Sequence, residues 1–133
     1  MSANLLKKHA KSFYWASFFL SKETFEKCSS LYNFCRTLDD IVDDNKELED
    51  KRENFFNFKK QFINKDFSSS IIKEMWSTID AENISTKIVF DLFDGVETDL
   101  KDRVEINKKK DLFIYSYRVA GTVGLMMSKI LKV

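Results

Sequence analysis

Four aspartates, Asp39, Asp40, Asp43 and Asp44, close the run Cys35-Arg36-Thr37-Leu38-Asp39-Asp40-Ile41-Val42-Asp43-Asp44. Carboxylates at this spacing could hold a divalent cation, because hard ions seek several anionic oxygens at once. The preceding segment carries the stripe Phe25, Cys28, Tyr32, Cys35, then Asp39 and Val42. Its alternating steps of three and four specify a helix. At about 100° per residue, Asp39 lies inside the apolar arc and Asp43 on its edge, about 40° away. Asp40 and Asp44 turn outward. A carboxylate that faces a core is costly unless a cation meets it. Acidic runs are most often solvated helix faces. Against that, aspartate is a poor helix former whose charge suits the start of a helix, not its end. Glu47, Glu49 and Asp50 deepen the negative charge there. An EF-hand loop is excluded, since Ile41 stands where a ligand should be and Asp44 where the turn glycine should be.

A second inward carboxylate comes later. Ile84, Ile88, Leu92 and Gly95 form one helical stripe, and Asp99 falls on the same face. An ion pair with Arg103 at i+4 is the simpler role for it. Further on, Gly121 and Gly124 interrupt a helical pattern, each costing roughly 1 kcal/mol relative to alanine. Such glycines permit either close helix approach or room for a bulky apolar ligand beside Tyr115, Val119 and Val123.

The elements that must position these residues are read from caps and periodicity. A first helix is expected over Asn4 to Leu20, with Ser21 capping a second that runs to about Asp43. A third, Leu48 to Ile63, is charged on one side and carries Phe55, Phe58 and Phe62 on the other. Ser68–Ser70 caps a short fourth helix through Ile79, a fifth spans about Ile84 to Leu100, and a sixth runs from near Lys110 to the chain end. No proline, three glycines and 44% hydrophobic residues in 133 point to an all-α chain amounting to one domain or less.

The formal net charge of +1 gives no broad basic field, so no nucleic-acid partner is expected. Cys28 and Cys35 lie roughly 10 Å apart along one helix, too far for a disulfide, and are expected to be reduced core residues. Met1–Lys11 lacks the apolar core of a secretory signal, and Leu112–Met127 carries Arg118 and polar groups. A cytoplasmic protein follows as the expectation, with room for peripheral contact with the inner face of the membrane.

Four blocks together resemble the squalene/phytoene synthase family, the head-to-head prenyltransferases. They are His9-Ala10-Lys11-Ser12-Phe13, Leu31 through Asp44, Asp94-Gly95-Val96-Glu97-Thr98-Asp99-Leu100, and Tyr115-Ser116-Tyr117-Arg118-Val119-Ala120-Gly121-Thr122-Val123-Gly124. They occur in the family's order and span nearly all of 1–133. The resemblance implies an isoprenoid-synthase helical fold and condensation of two farnesyl or geranylgeranyl diphosphates to a phytoene- or squalene-type product. It implies that Asp39 and Asp43, with Asp40 as accessory, hold Mg²⁺ against a prenyl diphosphate. It also implies that Arg36 and Tyr32 lie near the diphosphate and that Lys11, Ser12, His9 and Phe13 belong to a flap over it. Tyr115 then assists the rearrangement, Asp99 lines the same cavity, and Val119, Val123 and Gly124 flank the substrate.

The family's second aspartate-rich motif, which follows the fourth block, has no counterpart here. The expectation is therefore a domain truncated to its N-terminal helices, inactive alone and dependent on a missing C-terminal half or a partner chain. The alternative is a non-catalytic helical assembly or binding protein derived from the same family.

Overall fold

The computed structural model describes residues 17–43, 45–100 and 117–132. Five α-helices carry the fold there: α1 (Lys22–Asp43), α2 (Leu48–Ile63), α3 (Ser70–Glu82), α4 (Thr86–Thr98) and α5 (Thr122–Leu131). A 3₁₀ turn at Ser17–Phe19 precedes α1, and a π-helical turn at Tyr117–Gly121 leads into α5. No strand occurs among the described residues, as the composition implied.

Helix α1 is the hub. It packs against α2, α3, α4 and α5, while α4 also packs against the π turn and α5. Ser21 caps α1 through a 3.2 Å bond from the Thr24 N–H, which meets one of the orphan donors at a helix start. The buried arc of α1 is wider than the expected stripe, because Leu31, Phe34 and Leu38 join Cys28, Cys35 and Val42. Phe25 and Tyr32 stay half-buried at its border. Both cysteines are free and buried, and Cys28 Sγ lies 3.6 Å from Met127 Sδ on α5.

The phenylalanines form one aromatic cluster. Phe34, Phe55, Phe58, Phe62 and Phe90 surround the ring of Phe93, with centroid distances between 5.4 Å and 6.4 Å. Phe62 also stacks on Trp76 at 4.7 Å, and the Trp76 indole N–H donates to the Phe62 carbonyl at 2.9 Å. This cluster fixes α2, α3 and α4 around α1, and so sets where the two acidic ends of α1 and α4 meet.

Three boundaries differ from the sequence reading. Residues 17–19 form a 3₁₀ turn, so no α-helix reaches Leu20; the rest of the first expected helix lies outside the described residues. Helix α3 continues past Ile79 to Glu82 and ends on Asn83 in the left-handed conformation. The Ile84 N–H then donates to the Ile79 carbonyl, a Schellman-type ending that buries Ile84 without making it helical. Helix α4 accordingly starts at Thr86 and stops at Thr98, with Asp99 and Leu100 in a turn.

Candidate active site

Asp39 sits in the last turn of α1, where the helix dipole is negative and no basic residue is present to offset it. Its side chain is 2% exposed, and among the described residues neither carboxylate oxygen has a hydrogen-bond partner. Burial pushes its pKa up to about 7, helped by the negative charges of Asp43, Asp40 and Asp99. Buried polar atoms are nearly always satisfied, so a doubly orphaned carboxylate requires an explanation. A cation is the ligand that would relieve burial and repulsion together.

The neighbours are arranged for that. On α1, Tyr32, Arg36, Asp39 and Asp43 fall within about 60° of arc at 100° per residue. Tyr32 is half-buried; Arg36, Asp40 and Asp43 are exposed. Arg36 Nε lies 4.0 Å from Asp40 Oδ2, a surface pair that leaves the guanidinium accessible to a ligand. Asp99, half-buried just past the end of α4, contributes negative charge to Asp39 from a different element. Beneath Asp39, burial and the Asp39 charge push the Cys35 thiol up to about 12, so Cys35 is a packing residue and not a nucleophile.

Among the described residues no three acidic, histidine or cysteine side chains converge closely enough to cage an ion unaided. Mg²⁺ keeps several waters and takes one or two carboxylates together with substrate phosphates. The orphaned oxygens of Asp39, with Asp43 one turn on, therefore fit such an ion.

The fourth sequence block is only partly described. Val119 is buried, Val123 half-buried, and Gly124 exposed with open space where a Cβ would stand. Close helix approach thus occurs elsewhere, at Gly95. A Cβ there would lie 2.6 Å from Arg118 Cβ and 3.0 Å from Val119 Cγ2. Gly95 lets α4 touch the π turn directly, a contact that the helical stripe could not reveal. Short π segments often mark functional sites. The Thr122 hydroxyl donates to the Arg118 carbonyl at 2.8 Å and so ties the turn to α5. His9, Lys11, Ser12, Phe13, Asp44 and Tyr115, together with Arg103, lie outside the described residues.

This all-α fold, with Asp39 and Asp43 at the end of α1 and Asp99 just past the end of α4, is of the class of helical isoprenoid synthases, as its structural likeness shows. A crystal structure of a dehydrosqualene synthase in complex with ligand superposes with a TM-score of 0.76 at 28% identity, covering 96% of this chain and 45% of that one. The model of the squalene/phytoene synthase family matches residues 6–133, and the chain belongs to that family. Similar curated proteins include the bifunctional lycopene cyclase/phytoene synthases of Blakeslea trispora, 31% identical over 98% of this chain, and Phycomyces blakesleeanus, 30% identical over 96%. The chain spans about a quarter of the length of these relatives. No described helix is long and apolar enough to cross a membrane.

Proposed function

We propose that this polypeptide forms the first half of a site that joins two allylic prenyl diphosphates head to head, with loss of diphosphate, to a phytoene- or squalene-type product. The observation that carries the reading is Asp39: buried at a helix C-terminus, without a hydrogen-bond partner at either oxygen among the described residues, and held protonated by burial and by the charge of Asp43. Family membership supplies the reaction class.

Asp39 and Asp43 would hold Mg²⁺, with Asp40 beside them. Bound there, Mg²⁺ would supply positive charge to offset the diphosphate leaving group. Arg36 and Lys11 donate charge-assisted hydrogen bonds to the same oxygens, which hold the leaving group in place. Tyr32, Ser12 and His9 orient it, and Phe13 closes over it. The apolar side chains of Val119 and Val123, with the space at Gly124, receive the prenyl chain and exclude water from the allylic cation. Tyr115 and Asp99 act near the reacting carbons, where a phenol face and a carboxylate stabilise positive charge during rearrangement.

Binding is readable on the chain itself. Isothermal calorimetry with a prenyl thiodiphosphate analogue should show Mg²⁺-dependent binding that Asp39→Asn removes while far-UV circular dichroism stays unchanged. Equal binding by the variant would falsify the assignment of Asp39. Absence of binding in any condition would favour a non-catalytic helical protein.

A further inference from the structure

Arg52, in the second turn of α2, reaches across to the far end of α4. Its Nε–H donates to the Leu100 carbonyl at 2.8 Å, between residues 48 apart in sequence. Leu100 directly follows Asp99, and its own side chain is buried in the core. Two short-range bonds close the turn there. The Asp99 N–H donates to the Val96 carbonyl at 3.0 Å, and the Leu100 N–H to the Glu97 carbonyl at 2.9 Å. Both run back into α4, as in the tightened last turn of a helix. Helix α4 carries no basic residue in its last turn, so the negative end of its dipole has no cation of its own. The Arg52 guanidinium supplies one from a neighbouring helix, through a charge-assisted bond of the stronger kind. Helix α2 starts shortly after Asp43 ends α1. The bond thus joins the element next to Asp43 to the turn that carries Asp99.

We infer that Arg52 is a positioning residue: its bond to the Leu100 carbonyl holds the turn that carries Asp99 in place near Asp39. The buried side chain of Leu100 anchors that turn by its apolar end, and Arg52 anchors it by its backbone. Two anchors fix the neighbour of Asp99 in position and direction, whereas one alone leaves it free to pivot. Arginine suits the task, since its guanidinium keeps its charge and presents its donors in a rigid fork. Glu53 and Glu97, both exposed, line the same cleft, and carboxylates at the surface would hold the guanidinium only weakly. The clamp stands on geometry alone. Its bearing on the reaction rests on the prenyl diphosphate reading, in which Asp99 lines the cavity.

Amide hydrogen exchange of the full chain, read by NMR, tests the clamp in Arg52→Met and Arg52→Lys. Arg52→Met should speed exchange at Asp99 and Leu100 roughly tenfold, the scale of one lost hydrogen bond to a charged group. Phe93, in the middle of α4, should keep the parent rate. Arg52→Lys retains a charged donor and should restore much of the protection. Mn²⁺ in place of Mg²⁺ then reads position. It should broaden the Asp39 amide in all three proteins, and the Asp99 amide in the parent and Arg52→Lys more than in Arg52→Met. Parent-like exchange or broadening at Asp99 in Arg52→Met would overturn the inference. So would exchange that rises equally at Phe93, the mark of a general loss of stability. No broadening at Asp39 in any of the three would instead defeat the metal reading, and the exchange rates alone would then decide the clamp.

Discussion

The charge of Asp99, just past the end of α4, raises the proton affinity of Asp39, buried in the last turn of α1. Two helices distant in sequence thus deliver like charges to one place, an arrangement that weakens the fold unless something positive occupies it.

Its cost should be visible in a pH titration. Asp39 has a folded pKa of about 7 against 3.8 for the free residue. Between those values the native state holds a proton that the unfolded state has released, so stability falls as pH rises through that window. Below it the penalty is absent; above it the penalty is complete, on the order of a few kcal/mol. Asp39→Asn should therefore raise the melting temperature at about pH 8 and do little at about pH 4. A variant that melts like the parent at both would show that Asp39 is already compensated.

A cation should do what protonation does. At about pH 8, Mg²⁺ should raise the melting temperature of the parent, by the mass action of a ligand that binds only the folded state. Asp39→Asn should abolish the shift and Asp43→Asn should reduce it. Lys22→Ala, exposed at the opposite end of α1, should leave it intact. A shift of equal size in Asp39→Asn would place the ion elsewhere.

The burial of Asp39 was legible because helical periodicity is a local signal. Asp39 stood out as a carboxylate inside an apolar arc, and α1 and α2 end where their caps and stripes end. Asp39 is the most deeply buried of the described aspartates, and Asp43 is more exposed than an edge position suggested. Ile84 misled because a Schellman ending buries an apolar residue just past the helix, which mimics the next helical position. Gly95 was read only as a member of a stripe. Its meaning depends on Arg118, a partner that no periodicity within α4 can disclose.

Gly95 and Gly124 should respond in opposite ways. Gly95→Ala places a methyl against Arg118 Cβ and the backbone at Arg118, so α4 and the π turn must separate. That overpacking should destabilise the chain by about 1–3 kcal/mol. Gly124 lies inside α5 with open space around it, so Gly124→Ala should stabilise it by about 0.5–1 kcal/mol through helix propensity. Denaturant melts of the two variants check both signs, and a stabilised Gly95→Ala would show that the contact is loose.

The aromatic cluster supports the site from below, and Phe93 is its centre. It is fully buried and meets rings from α1, α2 and α4 itself. Phe93→Ala should cost about 3–5 kcal/mol, a large part of the stability of a domain this size. Because α4 carries both Phe93 and the approach to Asp99, loosening it should also let Asp99 withdraw from Asp39. The pH dependence attributed to Asp39 should then weaken in Phe93→Leu, a milder change that retains the fold. Circular dichroism melts of Phe93→Leu across that pH window decide the matter. An unchanged pH slope alongside lower stability would mean that Asp99 adds nothing to what burial and Asp43 already impose on Asp39.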